Sequence, residues 1–239
     1  MRESLRRLAR RAGYEVRQYT PLRSFAAARD ELIARRGVDV VLDVGANAGQ
    51  YGELLREGGY RGRLVSLEPV AEAFAELERR ARADGNWSAV RVAASDADGE
   101  LTLNVTGDSR SSSVLQRNEQ FAGVPGWEPK ESRMVAARRL DGLVPELLRP
   151  EERAYLKLDV QGYERTVLAG AGAALDRFEA IELELSVSPL YEGQPALAEM
   201  LPLLAERGFR PVSLEPILLD GDGMLMELDG LFARARPTG

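Results

Sequence analysis

Hydrophobic positions near the N-terminus recur with a helical period, and from Val38 onward short β-rich apolar runs alternate with amphipathic stretches. Leu5, Leu8, Ala9 and Ala12 fall at i, i+3, i+4 and i+7, with Arg2, Arg6, Arg7, Arg10 and Arg11 on the other face, which predicts an amphipathic helix. A second helix is expected from Leu22 to Arg36, ending at Gly37. Val38–Val44, Arg63–Leu67, Ala89–Ala93, Ala154–Val160 and Ala180–Ser186 read as five strands. Helices are expected to begin at Tyr51–Glu57 and to cover Ala71–Ala83 and Tyr163–Ala169, with a further turn near Ala173–Asp176. Helix Ala196–Arg207, strand Phe209–Leu214 and a strand pair, Met224–Leu228 and Leu231–Arg234, close the pattern. Gly221–Gly223 and Asp229–Gly230 are expected as turns of an antiparallel hairpin at the sheet edge. Such an alternation predicts an α/β fold on a mostly parallel sheet.

The alternation breaks between Gly99 and Leu140, where the helix expected after the third strand is missing. Glu100–Val105 and Arg133–Ala137 alternate like strands, while about 106–132 carries Gly, Pro, Ser and charge without a period. Ser111, Ser112 and Ser113, with Phe121, Pro125 and Trp127, offer hydroxyls and aromatic surface, so this insertion is expected to be a substrate lid, a mobile insertion being the plainer reading. Residues 1–36 are then an N-terminal helical extension and 37–239 one domain carrying the lid-like insertion.

Composition narrows the chemistry. The 239 residues include no cysteine and no histidine, which removes disulfides, thiolate nucleophiles, zinc sites of the usual N/S type and Ser-His-Asp triads. Proton transfer falls to carboxylates, Lys, Tyr, Arg or water, and a metal would be a hard, oxygen-liganded ion. Residues 1–36 hold ten arginines against four acids and carry +6, leaving the rest at −12. With so acidic a core and no basic stripe interleaved with aromatics, nucleic acid is disfavoured as a partner. The basic N-terminal helix either makes a weak contact with a membrane surface or packs its narrow stripe on the domain. No signal peptide or transmembrane run is evident, and a cytoplasmic location is expected. A homodimer is compatible with the sequence.

Two features place chemistry on this frame. The first is V-V-L-D-V-G-A-N-A-G (Val40–Gly49), a strand running into a turn of small residues and then a helix. Asn47 stands where the second glycine of a dinucleotide fingerprint would be, which argues against a pyrophosphate. Glu68 ends the next strand, where an acid takes a ribose diol, so a nucleoside-bearing ligand is expected. Asp43 and Gly45 could anchor the charged amino-acid end of S-adenosylmethionine (SAM). The second feature is charge on strands that should be apolar. Tyr155, Lys157 and Asp159 share one face of their strand and Glu182, Glu184 and Ser186 one face of the next, so Lys157 is expected to pair with Glu182 or Glu184. Asp159 should emerge at the ligand crevice, followed by Gln161, Gly162 and Glu164 in the next turn.

L-D-V-G-A-N-A-G (Leu42–Gly49), S-L-E-P (Ser66–Pro69), D-G-E (Asp98–Glu100), S-S-S-V-L (Ser111–Leu115), R-R-L-D-G-L (Arg138–Leu143) and L-K-L-D-V-Q-G-Y-E (Leu156–Glu164) occur in an order that resembles the FkbM family of SAM-dependent methyltransferases, from about Val38 to Phe232. The resemblance implies a Rossmann-like class I fold: a seven-stranded, mostly parallel sheet of order 3-2-1-4-5-7-6, the last strand antiparallel, with helices on both faces. It also implies O-methylation of a hydroxyl on a sugar or glycan or a polyketide-type metabolite. Asp43, Gly45, Ala46, Asn47 and Gly49 would line the methionine end of SAM, Glu68 with Pro69 the ribose, and Ala94, Ser95 and Asp96 the adenine.

With histidine absent, Asp159 is the expected acceptor of the hydroxyl proton, Glu184 its partner and Lys157 the group that orients or neutralises them. Alternatively Asp159 and Glu184 would hold a magnesium ion that lowers the hydroxyl pKa. Two rival readings remain, a nicotinamide-dependent sugar-modifying oxidoreductase and a SAM-binding protein without catalysis. Against the oxidoreductase, neither lysine has a tyrosine four positions before it; Gly126 precedes Lys130 and Arg153 precedes Lys157.

Overall fold

A computed structural model describes residues 2–15, 18–106, 112–121 and 129–236. Ser111, Pro125 and Trp127 of the expected lid lie outside the described residues. Helix α1 (Arg2–Arg11) is followed by α2 (Phe25–Arg36), and the sheet begins with β1 (Val40–Val44). Then come α3 (Gln50–Glu57), β2 (Arg63–Leu67), α4 (Ala71–Asp84), β3 (Trp87–Val90), β4 (Ala93–Ser95), β5 (Gly99–Thr106), β6 (Pro129–Arg139) and α5 (Leu140–Leu147). The second half holds β7 (Ala154–Leu158), α6 (Glu164–Ala171), β8 (Phe178–Ser186), α7 (Leu197–Glu206), β9 (Phe209–Leu219) and β10 (Leu225–Arg234).

The main sheet runs β3-β2-β1-β7-β8-β10-β9, parallel except for β10, which is antiparallel to both β8 and β9. Counted without the insertion strands, this is the order 3-2-1-4-5-7-6 that the family resemblance implied. Side-chain alternation divides the core between the two faces. Val40, Leu42, Val44, Leu156, Leu158, Leu183 and Leu185 pack with α5, α6 and α7 on one side. Val41, Leu64, Tyr155, Ala180 and Leu231 pack with α2, α3 and α4 on the other.

Helix α2 starts where the Ser24 hydroxyl accepts from the Ala27 N–H (3.3 Å) and stops at Gly37, whose φ of 60° lets its N–H turn back to the carbonyls of Ala34 and Ile33. Its buried Phe25, Ala28, Leu32 and Ile33 belong to the core, so the core reaches into the stretch expected as an N-terminal extension. Helix α1 differs: its Leu8 is 66% exposed. No helix among the described residues is long and apolar enough to cross a membrane.

Three expectations need correction, and one helix has no counterpart among them. The run expected as one strand at Ala89–Ala93 divides: β3 ends at Val90 in the main sheet, and β4 joins a separate sheet of order β4-β6-β5. Asp229–Gly230 is not a turn but lies inside β10, since both residues pair with β8 and β9, and the hairpin turns instead between Leu219 and Leu225. The strand expected at Phe209–Leu214 runs on to Leu219 to match its partner. Helix α5 carries a weak sequence signal because Gly142 and Pro145, poor helix formers, sit inside it; its buried Leu140, Leu143 and Val144 hold it to the core.

Candidate active site

Strand register gathers the polar residues that the sequence scatters. Asp43 on β1 pairs with Ser66 on β2 and Lys157 on β7, and Lys157 pairs with Glu182 on β8, so these four side chains form one row on the face covered by α2, α3 and α4. One repeat further along, Glu184 on β8 is opposite Asp229 on β10, which is opposite Glu215 on β9. Both rows, Ser66 excepted, open into a cavity of about 620 Å³ at the carboxyl ends of the parallel strands, a volume that suits a small-molecule site.

The turn after β1 forms one wall. Gly45 (φ 83°) and Asn47 (φ 46°) adopt left-handed backbone, which asparagine tolerates better than most residues. The N–H groups of Gly45 and Ala46 donate to the Leu67 carbonyl (both 3.0 Å), that of Asn47 to Glu68 Oε2 (2.8 Å) and that of Ala48 to Asn47 Oδ1 (2.8 Å). These four donors are therefore occupied, and a phosphate would find none of the usual cradle here. The carboxylate here comes from the strand before the turn: Asp43 is buried and accepts from the Ser66 hydroxyl (3.1 Å), which in turn accepts from Trp87 Nε1 (3.0 Å). Burial pushes the Asp43 carboxyl up to about 7, against the Ser66 hydrogen bond and the Lys157 charge. Glu68 is likewise pushed to about 7 by burial, although the N–H groups of Val70 and Asn47 hold its two oxygens at 2.8 Å.

Lys157 forms the floor. Its ammonium lies 3.8 Å from Asp159, 4.0 Å from Glu182 and 3.8 Å from Asp229. Burial alone would lower its pKa, but Asp159, Glu182 and Asp229 overcome this and hold it above the usual lysine range. The group is a fixed cation, not a base. Glu182 accepts from the hydroxyls of Tyr51 (2.8 Å) and Tyr155. The Lys157 ammonium and the Arg29 guanidinium each lie 5.7 Å from the centre of the Tyr51 ring.

Asp159 follows β7 with its side chain 42% exposed, facing the cavity. Glu184 does not pair with Lys157; the Gln161 amide joins it to Asp159 instead, with Nε2 donating to Asp159 Oδ1 and Glu184 Oε2, both at 3.0 Å. Burial first, then the Asp159 charge, raises Glu184 well above the ordinary carboxylate range. An amide donor thus occupies the space between the two carboxylates where a metal would need acceptors. Among the described residues no group of three or more acids is disposed to hold an ion. The expected magnesium arrangement does not fit this geometry.

Of the residues predicted from sequence, Asp43, Gly45, Ala46, Asn47, Glu68, Pro69, Ala94, Lys157, Asp159 and Glu184 all line this one cavity. Gly49, Ser95 and Asp96 lie outside its wall. Gly49 (φ 91°) instead lets the turn approach Trp87, whose ring would stand 2.9 Å from an added Cβ, and Ser95 shares a hydrogen bond of 3.2 Å with the Tyr163 hydroxyl. Sequence reasoning did not single out Arg29, Tyr51, Tyr163 or Asp229, which also line the cavity. Asp229 shares its strand's parity with Glu227 and Leu231, a signal that the turn-forming character of Asp229–Gly230 hides. Arg29 and Tyr51 come from helices whose packing no local pattern announces.

The size and donor set of the cavity suit a nucleoside carrying a cationic tail. Val70, Val92, Ala93 and Ala94 give an apolar wall for a base, Glu68 keeps lone pairs for a diol, and Asp43 suits positive charge.

A family model described as the Methyltransferase FkbM domain matches residues 43–211. The 2-O-methyltransferase NoeI of Sinorhizobium fredii (strain NBRC 101917 / NGR234) is 29% identical over 193 residues, covering 78% of each chain. Among solved structures, Methyltransferase FkbM from Methylobacillus flagellatus KT superposes with a TM-score of 0.50 at 14% identity, over 81% of this chain and 43% of that one. The plantazolicin methyltransferase BamL, solved with a triazolic desmethylPZN analog and SAH, superposes with a TM-score of 0.51 at 9% identity, over 89% of this chain and 84% of that one. Both structures share the fold.

Proposed function

The chain belongs to the FkbM methyltransferase family, and from that premise we propose that it transfers a methyl group from SAM to a hydroxyl of a sugar, glycan or polyketide-type metabolite. One observation carries the reading: a single cavity joins a turn whose N–H groups are occupied, flanked by the acidic side chains of Asp43 and Glu68, to a partly exposed carboxylate, Asp159, beside a buried lysine. That combination suits a cationic donor and a hydroxyl acceptor and offers little to a pyrophosphate, which weighs against the nicotinamide reading. The relative named a 2-O-methyltransferase supports oxygen as the atom methylated.

Asp43, Glu68 and the apolar wall of Val92 to Ala94 would hold SAM, which when bound supplies a methyl carbon on sulfonium sulfur, the C–S electron pair staying with the sulfur. Asp159 faces the same space and accepts the acceptor's hydroxyl proton as the new O–C bond forms. Lys157 keeps its own proton and steadies the Asp159 carboxylate by charge. Tyr51, reaching over from α3, closes one side of the cavity. Holding donor and acceptor together accounts for most of the acceleration, up to about 7–11 kcal/mol for reactants in near-attack geometry.

Calorimetric titration with S-adenosylhomocysteine (SAH) and with NAD separates the cofactor classes. SAH is expected to bind and NAD to give no heat. Incubation with labelled SAM and panels of glycans and hydroxylated metabolites is expected to yield a product heavier by one CH2. NAD binding without SAH binding would refute the reading; SAH binding with no labelled product from any panel would favour a binding protein over an enzyme.

A further inference from the structure

Within the methyl-transfer reading, on which this step rests, we propose that Gln161 is a positioning residue: its amide clamps Asp159 to Glu184 and is itself fixed by the segment 112–121 of the insertion. Docking of that segment therefore sets the carboxylate that faces the acceptor.

The hydrogen bonds form a directed chain. Arg117 Nη2 donates to the Tyr191 oxygen (2.9 Å), the Tyr191 hydroxyl donates to Gln161 Oε1 (3.0 Å), and Gln161 Nε2 donates to both carboxylates. This orientation gives both carboxyl groups a donor and the amide oxygen the Tyr191 proton, whereas a reversed amide would set its oxygen against the Asp159 carboxylate. The backbone of Gln161 is held as well: the Ser113 hydroxyl donates to its carbonyl at 2.6 Å. Its φ of 51° is uncommon for a residue with a side chain, and the neighbouring Gly162 (φ 93°) lets the turn press on Tyr191, whose Cδ2 would stand 2.9 Å from an added Cβ.

The segment supplying Ser113 and Arg117 is attached, not draped. The Asn118 N–H donates to the Leu190 carbonyl (2.9 Å), Asn118 Nδ2 to the Pro189 carbonyl (2.7 Å) and the Glu192 N–H to the Gln116 carbonyl (2.8 Å). The Arg117 guanidinium also stacks 4.8 Å from the centre of the Tyr191 ring. Asn104 on β5 pairs with Ser113, so the same contacts tie the small second sheet to the site. Besides Arg117 and Tyr191, the titratable and charged groups around the clamp are Lys157 on β7, Glu182 on β8, Glu227 and Asp229 on β10, Glu164 on α6 and Glu68 after β2; none of them reaches across from Asp159 to Glu184 as the Gln161 amide does.

Carboxyl 13C NMR of the full chain tests this, following Glu184 through pH in wild type, Gln161→Leu and Tyr191→Phe, with Glu184→Gln to assign the signal. Loss of the amide donor is expected to raise the Glu184 midpoint by about one pH unit in Gln161→Leu, and by less but with the same sign in Tyr191→Phe. SAH affinity measured calorimetrically should stay within about two-fold of wild type in both, since the clamp acts on the acceptor side. A Glu184 midpoint that does not move in either folded variant overturns the proposal; if Gln161→Leu fails to fold, Tyr191→Phe, which removes a single oxygen, decides alone. Failure of wild type to bind SAH would instead overturn the methyl-transfer reading and leave the Glu184 midpoint to judge the clamp.

Discussion

A Cβ atom added to Gly45 would stand 1.9 Å from the main-chain oxygen of Asp159, because the turn after β1 presses directly on the chain leaving β7. The wall proposed for the cofactor and the carboxylate proposed for the acceptor are therefore locked together through backbone. Gly45→Ala cannot be absorbed by a side-chain movement, and at φ 83° it is strained as well. Gly85, at φ 77° with nothing within 4 Å of an added Cβ, isolates the strain alone. Gly85→Ala is expected to cost about 1 kcal/mol by urea denaturation, and Gly45→Ala clearly more, with SAH binding lost. Equal costs would show that the Gly45–Asp159 contact does not constrain the site.

Asp159→Asn keeps the shape of the site and removes the proton acceptor. Turnover is expected to fall by about 10²–10⁴-fold while SAH affinity stays near wild type. The comparison needs SAH calorimetry alongside single-turnover kinetics with the acceptor found by labelled transfer. Turnover near wild type would move the base elsewhere.

Much of this arrangement was legible before the structure. The apolar runs of β1, β2, β7 and β8 are strong because both sheet faces are covered, and the charges that interrupt them at Asp43, Lys157, Glu182 and Glu184 stood out for the same reason. What could not be read was anything decided by register between distant strands. Lys157 pairs with Glu182 and Asp229, not with Glu184, because the β7–β8 and β8–β10 registers put those groups within 4.0 Å. The Asp229–Gly230 pair has turn-forming residues, yet two partner strands hold it extended; tertiary pairing overrode local preference. Gln161 was visible as a turn residue, but its role as a bridge depends on Tyr191, thirty positions away.

Lys157→Met should expose how much the buried cation matters. The substitution keeps most of the side-chain volume but leaves Asp159, Glu182 and Asp229 without the ammonium they share. Breaking a buried pair from one side costs about 3–5 kcal/mol, and that loss is expected by urea denaturation near about pH 7. Because burial, against the Lys157 charge, pushes the Asp229 carboxyl up to about 6, the penalty should shrink near about pH 5, where Asp229 takes up a proton. A cost independent of pH would point to lost packing instead of uncompensated charge.

The same crowd of buried acids fixes how stability should depend on pH. Burial raises Asp43, Glu68 and Glu164 to about 7 and Asp229 to about 6, all above their values in an unfolded chain. Between the ordinary carboxylate range and about 7 the folded protein therefore holds protons that the unfolded chain has released, and unfolding gives them up. This contribution is full at low pH and is lost as pH rises through 6 to 7. Acids shifted the other way, such as Glu76, lowered to about 2 by its hydrogen bonds to Arg79 and Arg80, lose their contribution only as pH falls below the ordinary range, so the two windows do not overlap. The melting temperature of the ligand-free chain is expected to drop by several degrees between about pH 5 and about pH 8, with a shallower slope in Asp43→Asn, which removes one of the titrating groups and keeps an acceptor for Ser66. Calorimetric scans across that range check it, and a melting temperature that climbs with pH would mean that these carboxyls are ionised in the folded state.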